Sequence, residues 1–200
     1  PAMAPPVQPA SAASATTAPV AAMPAVGVPN FDWPPSTRLS YQLRGNYRGP
    51  VEGSAQVDWL RTGTRYQVHL ETAIGPLMSR RSSSDGELTD RGLSPQRFER
   101  EQKVLFSAPR RFNLRFGPDR IGLPDGTETT TLPGVQDEAS QFVQLTWLFT
   151  TQPHLMQVGR SIEMPLIINR RVDRWIYDVR EVQQLDLPFG SVETYYVKPR

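Results

Sequence analysis

The sequence predicts a mainly β fold: an antiparallel curved sheet or partly open barrel of about ten strands wrapped around one α-helix, residues 137–151. Three observations predict it. From Asp32 onward apolar and polar residues mostly alternate, which is the pattern of half-buried antiparallel strands. Turn signals rich in Gly, Asp and Pro separate the alternating runs. One stretch, DEASQFVQLTWLFTT, holds neither Gly nor Pro and spaces its apolar residues as a helix does.

In chain order, residues 1–31 come first and carry no charged residue. Their Pro, Ala, Ser, Thr and Val composition offers no periodic face, so they read as a Pro/Ala-rich disordered linker. Fully extended, such a spacer reaches on the order of 90 Å. The β-rich globular domain is expected over residues 32–200. The first residue is Pro1 rather than Met. The expectation is an exported, periplasmic or envelope-associated domain, anchored to the inner membrane by a segment upstream of this chain.

Within the domain, LSYQLRG places Leu39, Tyr41 and Leu43 on one face, and SAQVDWL does the same for Ala55, Val57 and Trp59. RYQVHLETAI aligns Tyr66, Val68, Leu70 and Ile74 opposite Gln67, His69 and Glu71, and RRFNLRF aligns Phe112, Leu114 and Phe116. Turns are expected at Tyr47-Arg48-Gly49-Pro50, Arg61-Thr62-Gly63-Thr64, Ser84-Asp85-Gly86, Asp90-Arg91-Gly92 and Pro124-Asp125-Gly126. SIEMPLIIN and RWIYDVREV read as strands joined through Asn169-Arg170-Arg171, and LDLPFGSVETYYV as two strands about Pro188-Phe189-Gly190. In the helix, Asp137 is the expected N-cap. Ala139, Phe142, Val143, Thr146 and Phe149 form the expected buried side, with Gln141 and Gln144 toward solvent.

Composition narrows the function. The 200 residues hold 22 Lys+Arg, 20 Asp+Glu, no Cys and two His. Disulfides, thiolate chemistry and Cys-ligated metals are excluded, and a His-rich metal site with them. The near-neutral charge exerts no pull toward nucleic acid, and no apolar run reaches membrane-helix length. Arg110 to Phe116 interleaves Arg with aromatics, but alternation turns those aromatics inward, so no nucleic-acid partner is expected. No cofactor or metal is expected either: no phosphate-binding Gly loop follows a strand, and the acids lack calcium-loop spacing.

Two chemistries remain. Trp59, Tyr66, Phe112, Phe142, Trp147, Trp175 and Tyr177 fall on inward strand faces or on the helix, as core filling or as the lining of an apolar pocket. Asp58, Glu71, Asp173 and Asp178 lie on polar strand faces, where paired carboxylates would suit a periplasmic hydrolase. Ser82-Ser83-Ser84-Asp85 sets hydroxyls beside an acid, but without a nucleophile-elbow motif it reads as a polar hairpin. The favoured expectation is a non-enzymatic envelope domain that binds a protein partner or a lipid-like apolar ligand, with no catalytic residue.

The order of motifs over residues 38–198 resembles domain-of-unknown-function family 3108. LSYQLRGNYRGPVEGSAQVDW is similar to its opening hairpin and TRYQVHLETAI to its Tyr-containing third strand. Gly92, Pro95 and Phe98 fit its Gly-x-x-Pro-x-x-Phe/Tyr segment, Asp137 and Ser140 its helix entry, and Gly190 the turn of its late hairpin. The resemblance implies an exported bacterial β-domain and brings no activity or catalytic residue. Family members usually continue with a further hairpin, before which this sequence stops at Lys198-Pro199-Arg200, so that the last strand pair is either trimmed or absent and a sheet edge near Tyr195–Val197 is left without a visible partner.

Overall fold

The structure is a computed structural model that describes residues 31–46 and 50–200. Most of the expected spacer and the expected turn at Tyr47 to Gly49 lie outside the described residues. The fold is mainly β, with antiparallel sheets of eight and three strands, neither closed, and one α-helix.

The first eight strands form an uninterrupted meander: β1 (Thr37–Asn46), β2 (Pro50–Thr62), β3 (Arg65–Ile74), β4 (Met78–Thr89), β5 (Gly92–Val104), β6 (Arg110–Phe116), β7 (Arg120–Gly122) and β8 (Glu128–Thr130). A chain segment and the helix α1 (Ser140–Thr151) follow, then a single 3-10 turn at Pro153–Leu155. β9 (Ser161–Ile168), β10 (Arg171–Leu187) and β11 (Gly190–Pro199) make the second sheet, with β10 in the middle. The segment leading into α1 is joined to β9 by a parallel bridge between Gln136 and Leu166, closed by Gln136 N–H to the Pro165 carbonyl and Ile167 N–H to the Gln136 carbonyl. Among the described residues eleven strands stand where about ten are expected: the short β7 and β8 carry too few residues to show alternation, while RWIYDVREV and the LDL run, expected as separate strands, are one continuous strand, β10, with a bulge at Val179–Glu181.

The core follows the alternation. Trp59, Tyr66, Val68, Phe98, Leu114 and Ile121 are buried from the large sheet, against Val135, Ala139 and Ile167. A second cluster gathers Trp147, Leu148, Leu155 and Ile162. Trp33 joins the two, stacked on Trp59 at 5.6 Å and on Trp147 at 6.4 Å between centroids, while Trp59 stacks in turn on Tyr66. Each such pair adds about 0.5–1.5 kcal/mol beyond its buried area. Phe31, placed with the spacer on sequence grounds, packs edge-on against Trp33.

Four expectations are corrected. Ser84-Asp85-Gly86 is not a turn but the interior of β4, where a bulge shifts the register. Gly86 is needed there because an added Cβ would lie 2.2 Å from the Ser94 carbonyl oxygen and 2.9 Å from the Tyr66 ring. The helix begins at Ser140 rather than 137; Asp137 still serves its first turn, accepting the Ala139 and Ser140 amides at 2.8 Å. Phe142 is 51% exposed, while Gln144 is fully buried. Gln144 accepts the Leu93 amide at 2.8 Å and donates to the Arg91 carbonyl at 3.1 Å, so it closes the β4–β5 turn, where Gly92 stands at φ +97°. That demand of buried backbone groups for a partner turns the helix away from its most apolar side. Gln141, expected in solvent, is half-buried and accepts the Tyr177 hydroxyl at 2.6 Å.

Candidate functional site

Register places every inward side chain of the large sheet in cross-strand rows. The first row is Trp59, Val68, Ser84, Phe98 and Leu114, all buried beneath α1, the segment leading into it and β9. The second is Leu39, Val57, Leu70, Ser82, Arg100 and Phe112. The third is Tyr41, Ala55, Thr72, Arg80, Gln102 and Arg110, and a fourth runs through Leu43, Ile74, Met78 and Val104. Only the first row is buried throughout; beyond it, on β1, Leu39 is 49% exposed, Tyr41 48% and Leu43 39%. One helix of 12 residues covers only part of a sheet whose strands run to 13. The rest of the concave face is an open groove.

Beside the N-terminus of α1 the groove deepens into a cavity of about 480 Å3. Leu70, Phe142 and Ile168 form its apolar walls, and Thr72, Arg80, Ser82, Gln102 and Arg100 its polar floor. Glu138 holds the floor together: its carboxylate accepts from Arg80 on one oxygen and from Arg100 on the other. Arg100 also donates to the Asn169 side-chain oxygen at 3.0 Å and lies 4.9 Å over the Phe112 ring. Asn169 sits at φ +56° in the β9–β10 turn, which aims its amide at Arg100. Burial pushes both guanidinium pKa values down, and Arg80 adds repulsion to Arg100.

Beneath the helix lies a buried polar network. Ser84 Oγ donates to Asp137 at 2.6 Å and stands 3.3 Å from the Tyr66 hydroxyl. Burial pushes the Asp137 carboxyl up to about 6, against the hydrogen bonds from Ser84 and the helix amides that stabilise its anion. Burial also raises the Tyr66 hydroxyl, with the Asp137 charge adding to it. This network has no opening to solvent through any of its three side chains and fastens the helix entry to β4.

The convex face carries mixed charge. Asp58, His69, Glu71, Arg81, Glu99, Glu101 and Arg111 border a second groove of about 730 Å3, to which Leu70, Ser82, Arg100 and Phe112 also contribute. Asp58 is held below the usual carboxylate range by a two-pronged bond from Arg38, and Glu101 by its bond from Arg111. Among the described residues no group of three or more His, Asp or Glu is placed to hold a metal ion. No described helix is long and apolar enough to cross a membrane.

The aromatic residues singled out from sequence divide accordingly. Trp59, Tyr66, Trp147 and Tyr177 are buried and belong to the packing. Phe112 is half-buried under Arg100, Phe142 walls the open cavity, and Trp175 is half-buried on β10 opposite Met164, apart from both. Of the acids, Asp58 and Glu71 share the convex groove, while Asp173 and Asp178 lie on β10 in the other sheet. Asp178 is fastened by Arg200, Ser161 and Arg180. Sequence reading missed Arg80, Arg100 and Glu138. Carrying the inward parity of Val68 and Leu70 across to β4 would have placed Ser84, Ser82 and Arg80 on the concave face.

The family described as "Protein of unknown function (DUF3108)" matches residues 40–200, and the chain belongs to it. No curated protein and no solved structure matches the chain.

Proposed function

We propose that this member of the family is a non-enzymatic, exported domain of the bacterial envelope that binds a lipid-like ligand in its open concave groove. The observation that carries the reading is the uncovered part of the concave face. Leu39, Tyr41 and Leu43 line up there on β1 beside Val57 and Leu70, and Phe142 of the helix, half in solvent, walls the cavity with Leu70 rather than filling the core. An apolar strip continuous with the core, but open to water, is what a chain-like apolar ligand covers. Residues 1–30 then act as the spacer that holds the domain off its anchor.

Native mass spectrometry of the protein from bacterial envelope extracts tests this. A bound lipid mass in the natural chain, absent from Tyr41→Glu and Leu43→Glu variants of unchanged melting temperature, supports it. A bare chain that also fails to take up dodecanol rejects it.

The convex groove favours one second reading, hydrolysis by carboxylates on the polar sheet face, because it brings Asp58 and Glu71 beside His69. The Arg38 fork on Asp58 and the Arg81 contact to Glu71 at 3.0 Å suit fixed anions better than a proton donor. Turnover of chromogenic esters or glycosides that Glu71→Gln abolishes would move the function to that face.

A further inference from the structure

The concave groove is segregated by charge as well as by polarity. Among the described residues, its inward rows hold three arginines, Arg80, Arg100 and Arg110, and no acid of their own. The convex face of the same strands mixes acids and bases. Glu138, reaching in from the helix entry, neutralises only one of the two guanidinium groups it touches. The cavity floor therefore keeps one net positive charge between walls made by Leu70, Phe142 and Ile168. A half-buried charge without its full counter-charge is costly, and an anionic ligand relieves that cost.

The spare capacity sits on Arg80. Arg100 is engaged by Glu138, Asn169 and the Phe112 ring. The Arg80 side chain has Glu138 as its single hydrogen-bond partner among the described residues, although a guanidinium carries five N–H donors. Its flat fork fits a planar carboxylate two-fold. The Thr72 hydroxyl lines the same floor.

We infer that the groove selects a long-chain carboxylate, with the head on Arg80 and the chain along Leu70, Val57 and the exposed β1 strip. This rests on the lipid-binding reading and specifies its head group. Glu138 is then an internal competitor: its carboxylate already occupies the place between the two arginines that a second carboxylate must share.

Dodecanoate below its micelle concentration and dodecanol below its solubility limit, compared by calorimetric titration at neutral pH, test this. The natural chain is expected to prefer dodecanoate by roughly tenfold or more, the scale of one charged hydrogen bond. Arg80→Gln is expected to erase the preference while dodecanol binding stays unchanged. Glu138→Gln is expected to increase it, which a merely structural ion pair would not do. Equal binding of the two ligands by the natural chain overturns the head-group assignment and leaves the lipid reading standing. Binding of neither overturns both. A preference that survives Arg80→Gln moves the head group away from this cavity. Dodecyl phosphate binding more tightly than dodecanoate overturns the carboxylate in favour of a phosphate head.

Discussion

The covered and open halves of the concave face are built by the same strands, a few residues apart, and they have opposite characters. In the covered half every inward side chain has a partner: Phe98 and Leu114 are sealed, and the polar Ser84 is bonded to Asp137. In the open half, apolar side chains on β1 meet water and arginines outnumber the acid that faces them. Hydrophobic burial drives the first half to completion, at about 25 cal/mol per Å2 removed from water. The second half forgoes that stabilisation. The difference teaches that the sheet is larger than one helix can cover, and that the surplus carries the open apolar and cationic lining on which the proposed ligand site rests.

The largest expected effect is in the covered half. Phe98→Ala removes a fully buried ring between Ser84 and Leu114 and is expected to cost about 3–5 kcal/mol in denaturant melts. A cost below about 1 kcal/mol would mean that row is not a sealed core.

Next comes the network under the helix. Burial holds Asp137 near 6 in the folded protein, above its ordinary value of 3.8. Between those values the folded protein holds the proton while the unfolded chain stays ionised, so the group favours folding increasingly as pH falls through that window. Relative to Asp137→Asn, the natural chain should gain on the order of 2–3 kcal/mol between pH 7 and pH 4. The difference between the two proteins cancels the surface carboxylates, whose pairs weaken in acid. A difference independent of pH would show that Asp137 is not buried as an anion at neutral pH.

Gln144→Ala should cost about 1–2 kcal/mol, because it strips the Leu93 amide and the Arg91 carbonyl of their partner at the β4–β5 turn. Phe142→Ala, on the same helix, should cost less than about 1 kcal/mol, because its ring is half in solvent. If the two costs are reversed, the helix is rotated and Phe142 does not wall the groove.

This pair also shows what the sequence could and could not reveal. Strands β1, β2, β3 and β6 were legible because alternation is local: Tyr66, Val68 and Leu114 are buried where period two puts them, whereas β4, whose bulge at Gly86 reads as a turn, and the short β7 and β8 were not. The helix was legible as a helix, but its buried stripe was not. It is apolar around much of its circumference, so periodicity leaves its rotation undecided. What decides the rotation is a turn some fifty residues earlier in the chain, whose bare backbone groups claim Gln144. Gly92, in a turn that a Cβ would bring within 2.2 Å of Gln144, was the available signal, and it reads equally well as an ordinary turn glycine. The groove floor was hidden for a related reason. Arg80 and Ser82 look like a solvent-facing run until the register of β3 with β4 fixes their parity, and register is a long-range property.

The most direct measurement of the central claim is methyl NMR with a stearate that carries a nitroxide near the end of its chain. Leu39, Leu43, Val57 and Leu70 methyl signals should broaden on binding. Those of Leu185 and Leu187, exposed on the β10–β11 hairpin, should not. Broadening confined to the hairpin, or spread evenly over exposed methyl groups, would contradict the account, because the open half of the concave face would then hold no ligand.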